Sequence, residues 1–164
     1  MGDPQPGATS LDYLKAYLDY AILGVLGAMS FVMVFYVIER FLYLGHVDPA
    51  SFRSGHELDI ALTRHLTIIA TIGANAPYVG LLGTVLGILI TFHDIGQSGS
   101  IETGSVMLGL ALALKATALG LLVAIPSLIF YNALLRRVEV LTAHWRAARE
   151  IATEGPQATA EPRR

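Results

Sequence analysis

Apolar residues gather along this chain into three long runs separated by short polar stretches. The runs lie at about Tyr17–Ile38, Ile68–Phe92 and Val106–Leu135. A helix needs about 20 apolar residues to cross the hydrocarbon of a bilayer, and each run is long enough. The pattern predicts an all-α integral membrane protein with transmembrane helices over 17–40, 67–93 and 106–135. Residues 1–16 form a polar leading segment, 41–66 a loop and 94–105 a turn rich in Gly and Ser. Beyond the third run, Val140, Leu141, Trp145 and Ala148 share one helical face, which predicts a helical extension over 136–152. Residues 153–164 are expected to be a disordered end. Part of the loop is expected to be helical and to run on into the second span, started by Ser54 or by Asp48-Pro49.

The second and third runs carry a regular stripe of small and hydroxyl residues. Gly73, Pro77, Gly80, Thr84, Gly87 and Thr91 recur at steps of three or four, and so do Ala113, Thr117, Gly120, Ala124, Ser127 and Tyr131. Such spacing puts each set on one face of a helix. In a membrane, a small or weakly polar face serves to pack against other helices or to line something wet. The expectation is a pore or a tightly packed assembly rather than a lipid anchor.

Charge sets the topology. Arg40, Arg53 and Arg64 lie between the first and second spans, and six Arg follow the third. The turn from Asp94 to Ser105 has no Lys or Arg, and the leading segment has only Lys15. Positive flanks mark the cytoplasmic side. The N-terminus is therefore expected outside and the C-terminus inside. The leading segment is acidic in balance, unlike the basic start of a cleaved signal, so the first helix reads as retained.

Composition narrows the chemistry. The chain is 54% hydrophobic and has no cysteine, which removes disulfides and thiolate metal sites. Its five His form no pair at metal-ligand spacing. No phosphate-binding Gly-Lys-Thr loop, nucleophile triad or paired carboxylates stand out, so neither an enzyme nor a bound cofactor is expected. Lys115 lies well inside the third run, where a charge costs about 2.5–3.5 kcal/mol or more. Either it snorkels outward on its long stem or it meets a carboxylate on a partner. It points nearly opposite to Thr117, so contact with a neighbouring helix or subunit is the functional reading. Thr84 and Thr117 either bond their own backbone one turn back or form a ring of hydroxyls in an oligomeric pore. Pro77 and Pro126 read as structural kinks, with a hinge as the second reading. Glu39-Arg40 closes the first span as an interfacial pair, and Asn132 is placed to cap or bridge helices.

At these residues a family resemblance stands out. IGANAPYVGLLGTVLGILITF on the second span and LALKATALGLLVAIPSLIFYN on the third, with IERFLYL ending the first, resemble the ExbB/TolQ/MotA family of ion-driven inner-membrane motor proteins, nearest to its ExbB branch. The resemblance covers about Leu18 to Asn132. It implies a homopentamer in the bacterial inner membrane, with the second and third helices around a central pore and the first outside. Helices of an ExbD-like subunit would occupy that pore and carry a protonatable Asp. Proton flow would move them, and a TonB-like protein would pass the motion to outer-membrane receptors. By similarity Thr84 and Thr117 match the pore threonines that face the partner's Asp. Gly80, Gly87, Thr91, Gly120, Ala124 and Ser127 join them as expected pore-lining positions. Lys115, Glu39, Arg40 and Asn132 are expected contacts to partner or subunit.

Two features depart from the family pattern. Many members carry a Glu five residues before the pore Thr of the third span, where this chain has Leu112, with Lys115 one turn on. A charge of opposite sign there disfavours a proton relay carried over from that Glu. The loop of about 25 residues is also short for the family. It points to a minimal subunit and away from a flagellar stator. A TolQ-like energiser or a passive membrane scaffold are the alternatives.

Overall fold

The computed structural model of the protein describes residues 10–98 and 103–154. The start of the leading segment, the centre of the Gly/Ser turn and the tail from 155 onward lie outside the described residues. The disordered end expected there is among them, and of the turn expected over 94–105 only residues 99–102 are, its flanks being helical. Within the described residues the chain is helical, with short connections. α1 runs Ser10–His46, α2 Gly55–Thr63, α3 Leu66–Ser98 and α4 Thr103–Glu154. Three helices are long and apolar enough to cross a membrane, over Tyr17–His46, Leu66–Gly96 and Val106–Ala152. With the family evidence given below, this is a multi-pass membrane protein. Both α3 and α4 continue without interruption through Pro77 and Pro126.

α1 buries one stripe. Leu26, Met33, Val37, Arg40 and Leu44 face the other helices, while Phe31, Phe35, Ile38 and Leu42 are exposed. α3 and α4 make the most extensive contact in the protein, with α1 laid across both. The loop between α1 and α3 is tied down by its own polar groups. Asp48 caps a single 3-10 turn at Pro49–Ser51 by accepting from the Ala50 amide at 3.0 Å. Ser54 caps α2 by accepting from the Glu57 amide at 3.2 Å, the Ser-x-x-Glu arrangement of a capping box. α2 then sets Leu58 and Leu62, both fully buried, into one apolar cluster with Ile69, Leu134 and Val138. Farther along α4, Trp145 and Arg149 donate to the Phe52 carbonyl at 3.3 and 3.1 Å and hold the turn against the helix.

The helix read from periodicity as continuous from the loop into the second span is broken. α2 ends at Thr63, and His65 adopts φ 66° before α3 begins at Leu66. Hydrophobic spacing carries through Arg64-His65 because both segments bury apolar residues on the same side. The left-handed residue that turns the chain is a histidine, one of the non-glycine types that tolerate it.

The α3–α4 contact depends on absent side chains. A Cβ built on Gly80 would sit 2.7 Å from the Ala116 carbonyl oxygen, and one on Gly120 2.7 Å from that of Ala76. Both obstacles are backbone, so the helices would have to part. In α1, by contrast, Gly24 and Gly27 have nothing within 4 Å of such an atom. Gly80→Ala is therefore expected to lower the thermal midpoint in detergent by about 3–10 °C, from an overpacking cost of about 1–3 kcal/mol. Gly24→Ala should leave it unchanged or slightly raised, because Ala favours the helix. Equal midpoints for the two variants would contradict the close crossing.

Candidate functional site

At the level of the Gly80 crossing, Thr84 of α3 and Thr117 of α4 turn their hydroxyls toward each other and the two oxygens are in hydrogen-bond contact. Thr84 Oγ1 also lies 3.1 Å from the Ala113 carbonyl oxygen and 3.3 Å from that of Gly80. Thr117 Oγ1 lies 3.3 Å from the same Gly80 carbonyl. Thr84 is buried and Thr117 half-buried. Two hydroxyls bring two hydrogens. One must lie between the oxygens, and the other must go to a carbonyl. Two directions satisfy this: Thr117 donates to Thr84, which donates to the Ala113 or the Gly80 carbonyl, or Thr84 donates to Thr117, which donates to Gly80. In either order both hydrogens are engaged inside the seam, and only lone pairs are left for an approaching group. The site accepts a hydrogen bond from water or from a protonated acid without giving anything up.

The rest of the small-residue stripe builds the seam that holds this pair. Gly80, Gly120, Ala124 and Ser127 are enclosed between α3 and α4 within the protomer rather than presented on its surface. Ser127 is fully buried and donates to the Ile69 carbonyl of α3 at 2.7 Å. Periodicity identified the face, and its partner is the other stripe of the same chain. Toward the N-terminal end of α4 the seam opens into a cleft of about 250 Å³. Gly87 and Thr91 line it together with Asp19 of α1. Thr91 donates to its own backbone at Gly87, 2.9 Å away, which is the ordinary membrane habit of a threonine.

At the other end, Glu39 and Arg40 are more than an interfacial pair. Arg40 is 3% exposed. It donates from Nε and Nη2 to the two Glu39 carboxylate oxygens at 2.7 and 2.8 Å, a two-bond pair. Its Nη1 donates to the Ala61 carbonyl at 3.2 Å. His65 Nδ1 lies 3.4 Å from both Arg40 Nη2 and Glu39 Oε2. That nitrogen accepts from the arginine when bare or donates to the carboxylate when protonated. The Arg40 side chain is turned into its own protomer and joins α1 to the α2–α3 break. Sequence spacing carried no sign of this, because Ala61 contributes only backbone and His65 stood alone. Lys115 and Asn132 are exposed on α4, and Leu112 lines the cleft beside Asp19.

Three membrane-length helices, two of them joined by a glycine-tight, hydroxyl-bearing seam, define a class. The chain belongs to the MotA/TolQ/ExbB proton channel family, whose pattern matches residues 45–147. Within it, the chain is 50% identical to the biopolymer transport protein ExbB of Helicobacter pylori, over 85% of this chain and 97% of that protein. It is 53% identical to the ExbB of Aquifex aeolicus, over 84% of this chain and 93% of the relative. The Tol-Pal system protein TolQ of Pseudomonas aeruginosa is more distant, 37% identical over 60% of this chain and 47% of its own length.

Arg40→Met should test the buried charge cluster. It strips donors from Glu39 and from the Ala61 carbonyl, and each group left unsatisfied costs about 1–3 kcal/mol. A drop in thermal midpoint of several degrees is expected, with increased proteolysis in the loop over 47–65. An unchanged midpoint would show that the cluster ties nothing together.

Proposed function

We propose that this chain is the ring-forming subunit of a proton-driven energiser in the bacterial inner membrane, working with an ExbD-like subunit and a TonB-like protein to power nutrient uptake across the outer membrane. The ring is a homopentamer with α3 and α4 around the pore and α1 outside. The N-terminus is periplasmic and the C-terminus cytoplasmic. The chain provides no chemical catalysis.

The observation that carries this reading is the Thr84–Thr117 pair. A threonine hydroxyl does not titrate in the working range, so the pair cannot hold a proton as a charge. It offers lone pairs toward Thr117's exposed edge, which suits a protonated carboxyl on the partner's helix. Swapping the donation order moves both hydrogens by one step, so the pair can receive a hydrogen bond at either oxygen without a change of backbone. An acid arriving protonated is held, and the same acid deprotonated is held less well unless a carbonyl bond is released. That difference is what a proton-driven step requires, because a shift between states needs differential binding. One charge crossing 100 mV supplies about 2.3 kcal/mol. The high identity to ExbB proteins along almost their full length supports the TonB-type system over the Tol type.

Thr84→Val and Thr117→Val keep shape and remove the hydroxyls, while the Ser variants keep them. With an ExbD-like partner co-expressed, the Val variants are expected to assemble normally. They should lose proton-dependent uptake by about tenfold or more, equivalent to at least ~1.4 kcal/mol. The Ser variants should keep most of it. Full uptake by the double Val variant would favour a passive scaffold, and proton conductance without the partner would favour a self-sufficient channel.

A further inference from the structure

Two charges near the N-terminal ends of α1 and α4 have no ion pair among the described residues, and the fold places them at one level. Lys115 stands on an outward stripe of α4 with Leu108 and Leu122, both more than 60% exposed. The span begins at Val106. Nine residues at about 1.5 Å each, about 13 Å along the helix, separate Lys115 from that start.

Asp19 is itself exposed, but it stands in heptad register with buried Leu26 and Met33, seven and fourteen residues before them. It faces α3 and α4 and lines the cleft with Thr91, Leu108 and Leu112. Exposed Tyr17 and Tyr20 flank it, as aromatic residues do at a membrane interface.

The levels follow from one contact. A Cβ on Gly83 would meet both the Ala116 methyl, at 2.7 Å, and Ile22, at 3.0 Å, so Ile22 and Ala116 share a depth. Asp19 is three residues before Ile22, and Lys115 is one residue before Ala116. Helical side chains tilt toward the N-terminus of their own helix, and the N-terminal ends of α1 and α4 lie at the same end of the bundle. The Lys115 stem therefore rises toward Leu112 and Leu108, which are walls of the Asp19 cleft.

We propose that in the bilayer Lys115 reaches along this wall and forms a charge pair with Asp19 of the same chain, closing the mouth of the α1–α3–α4 cleft. The pair neutralises the ammonium and locks the first helix to the third span. It makes Lys115 an internal tether instead of a contact for the partner subunit. It is independent of the energiser reading, and its tests below read no transport.

A charge swap tests it in the intact assembled protein. Asp19→Lys alone and Lys115→Asp alone each place like charges together, and each should lower the thermal midpoint by about 5 °C or more. The double swap restores opposite charges and should recover most of that loss, the signature of direct coupling. On the unaltered protein in membranes, a hydrophobic carbodiimide should join the Asp19 carboxyl to the Lys115 amine. The product is an amide within a single chain, lighter by one water and seen by mass spectrometry in the monomer band. Additive losses in the double swap, or single variants as stable as the parent, would overturn the pair. An amide joining two different chains, or none at all, would overturn it as well.

Discussion

The close crossing of α3 and α4 at Gly80 and Gly120 is the constraint on which the rest of the structure depends. Lipid tails are as apolar as leucine, so helices in a membrane gain little from burying apolar faces and must associate by packing and hydrogen bonds. Here two glycines let backbone meet backbone, with Cβ positions only 2.7 Å from carbonyl oxygens of the opposite helix. That separation brings Thr84 into reach of the Ala113 carbonyl and Thr117 into reach of that of Gly80. A slightly wider crossing would leave each threonine with its own helix alone. The hydroxyl pair is a consequence of the glycines, and the proposed partner site a consequence of the pair.

The polar groups of the protein divide the remaining work by depth. Near one end of the bundle, Arg40 gathers Glu39, the Ala61 carbonyl and His65 into a buried junction that fixes the break between α2 and α3. In the middle, hydroxyls alone occupy the seam. Toward the other end Asp19 lines the cleft, and Lys115 stands outside the seam two residues before Thr117. The seam itself carries no charge, so a carboxyl brought to it by a partner would be the ionisable group in the seam. A ring that held its own acid at that depth would compete with the partner for the proton.

Much of this was legible in the residues. Hydropathy located the spans, because length and apolarity alone decide whether a helix can cross a bilayer. The step of three or four along Gly73–Thr91 and Ala113–Tyr131 identified a face of small residues. Periodicity reports a face without naming what covers it, so the burial of Ser127 and Ala124 inside the protomer had to come from the structure. The break at His65 was hidden for a different reason: no Gly or Pro marks it, and apolar spacing runs through it unchanged. Arg40 read as interfacial because its burial rests on a backbone carbonyl 21 residues away, and backbone acceptors leave no trace in a sequence. Asp19 passed unremarked at the start of the first span, because only the structure shows that it lines a cleft with residues of α3 and α4.

The most direct test of the central claim is an electron cryomicroscopy structure of the protein assembled in lipid with an ExbD-like subunit. The account predicts α1 on the outside of the ring and the exposed edge of Thr117 facing the central axis. A carboxyl of the partner's helix should lie within hydrogen-bond distance of the Thr84–Thr117 pair. A ring whose α3–α4 seam faces lipid or a neighbouring protomer, with the partner's acid remote from both threonines, would contradict it.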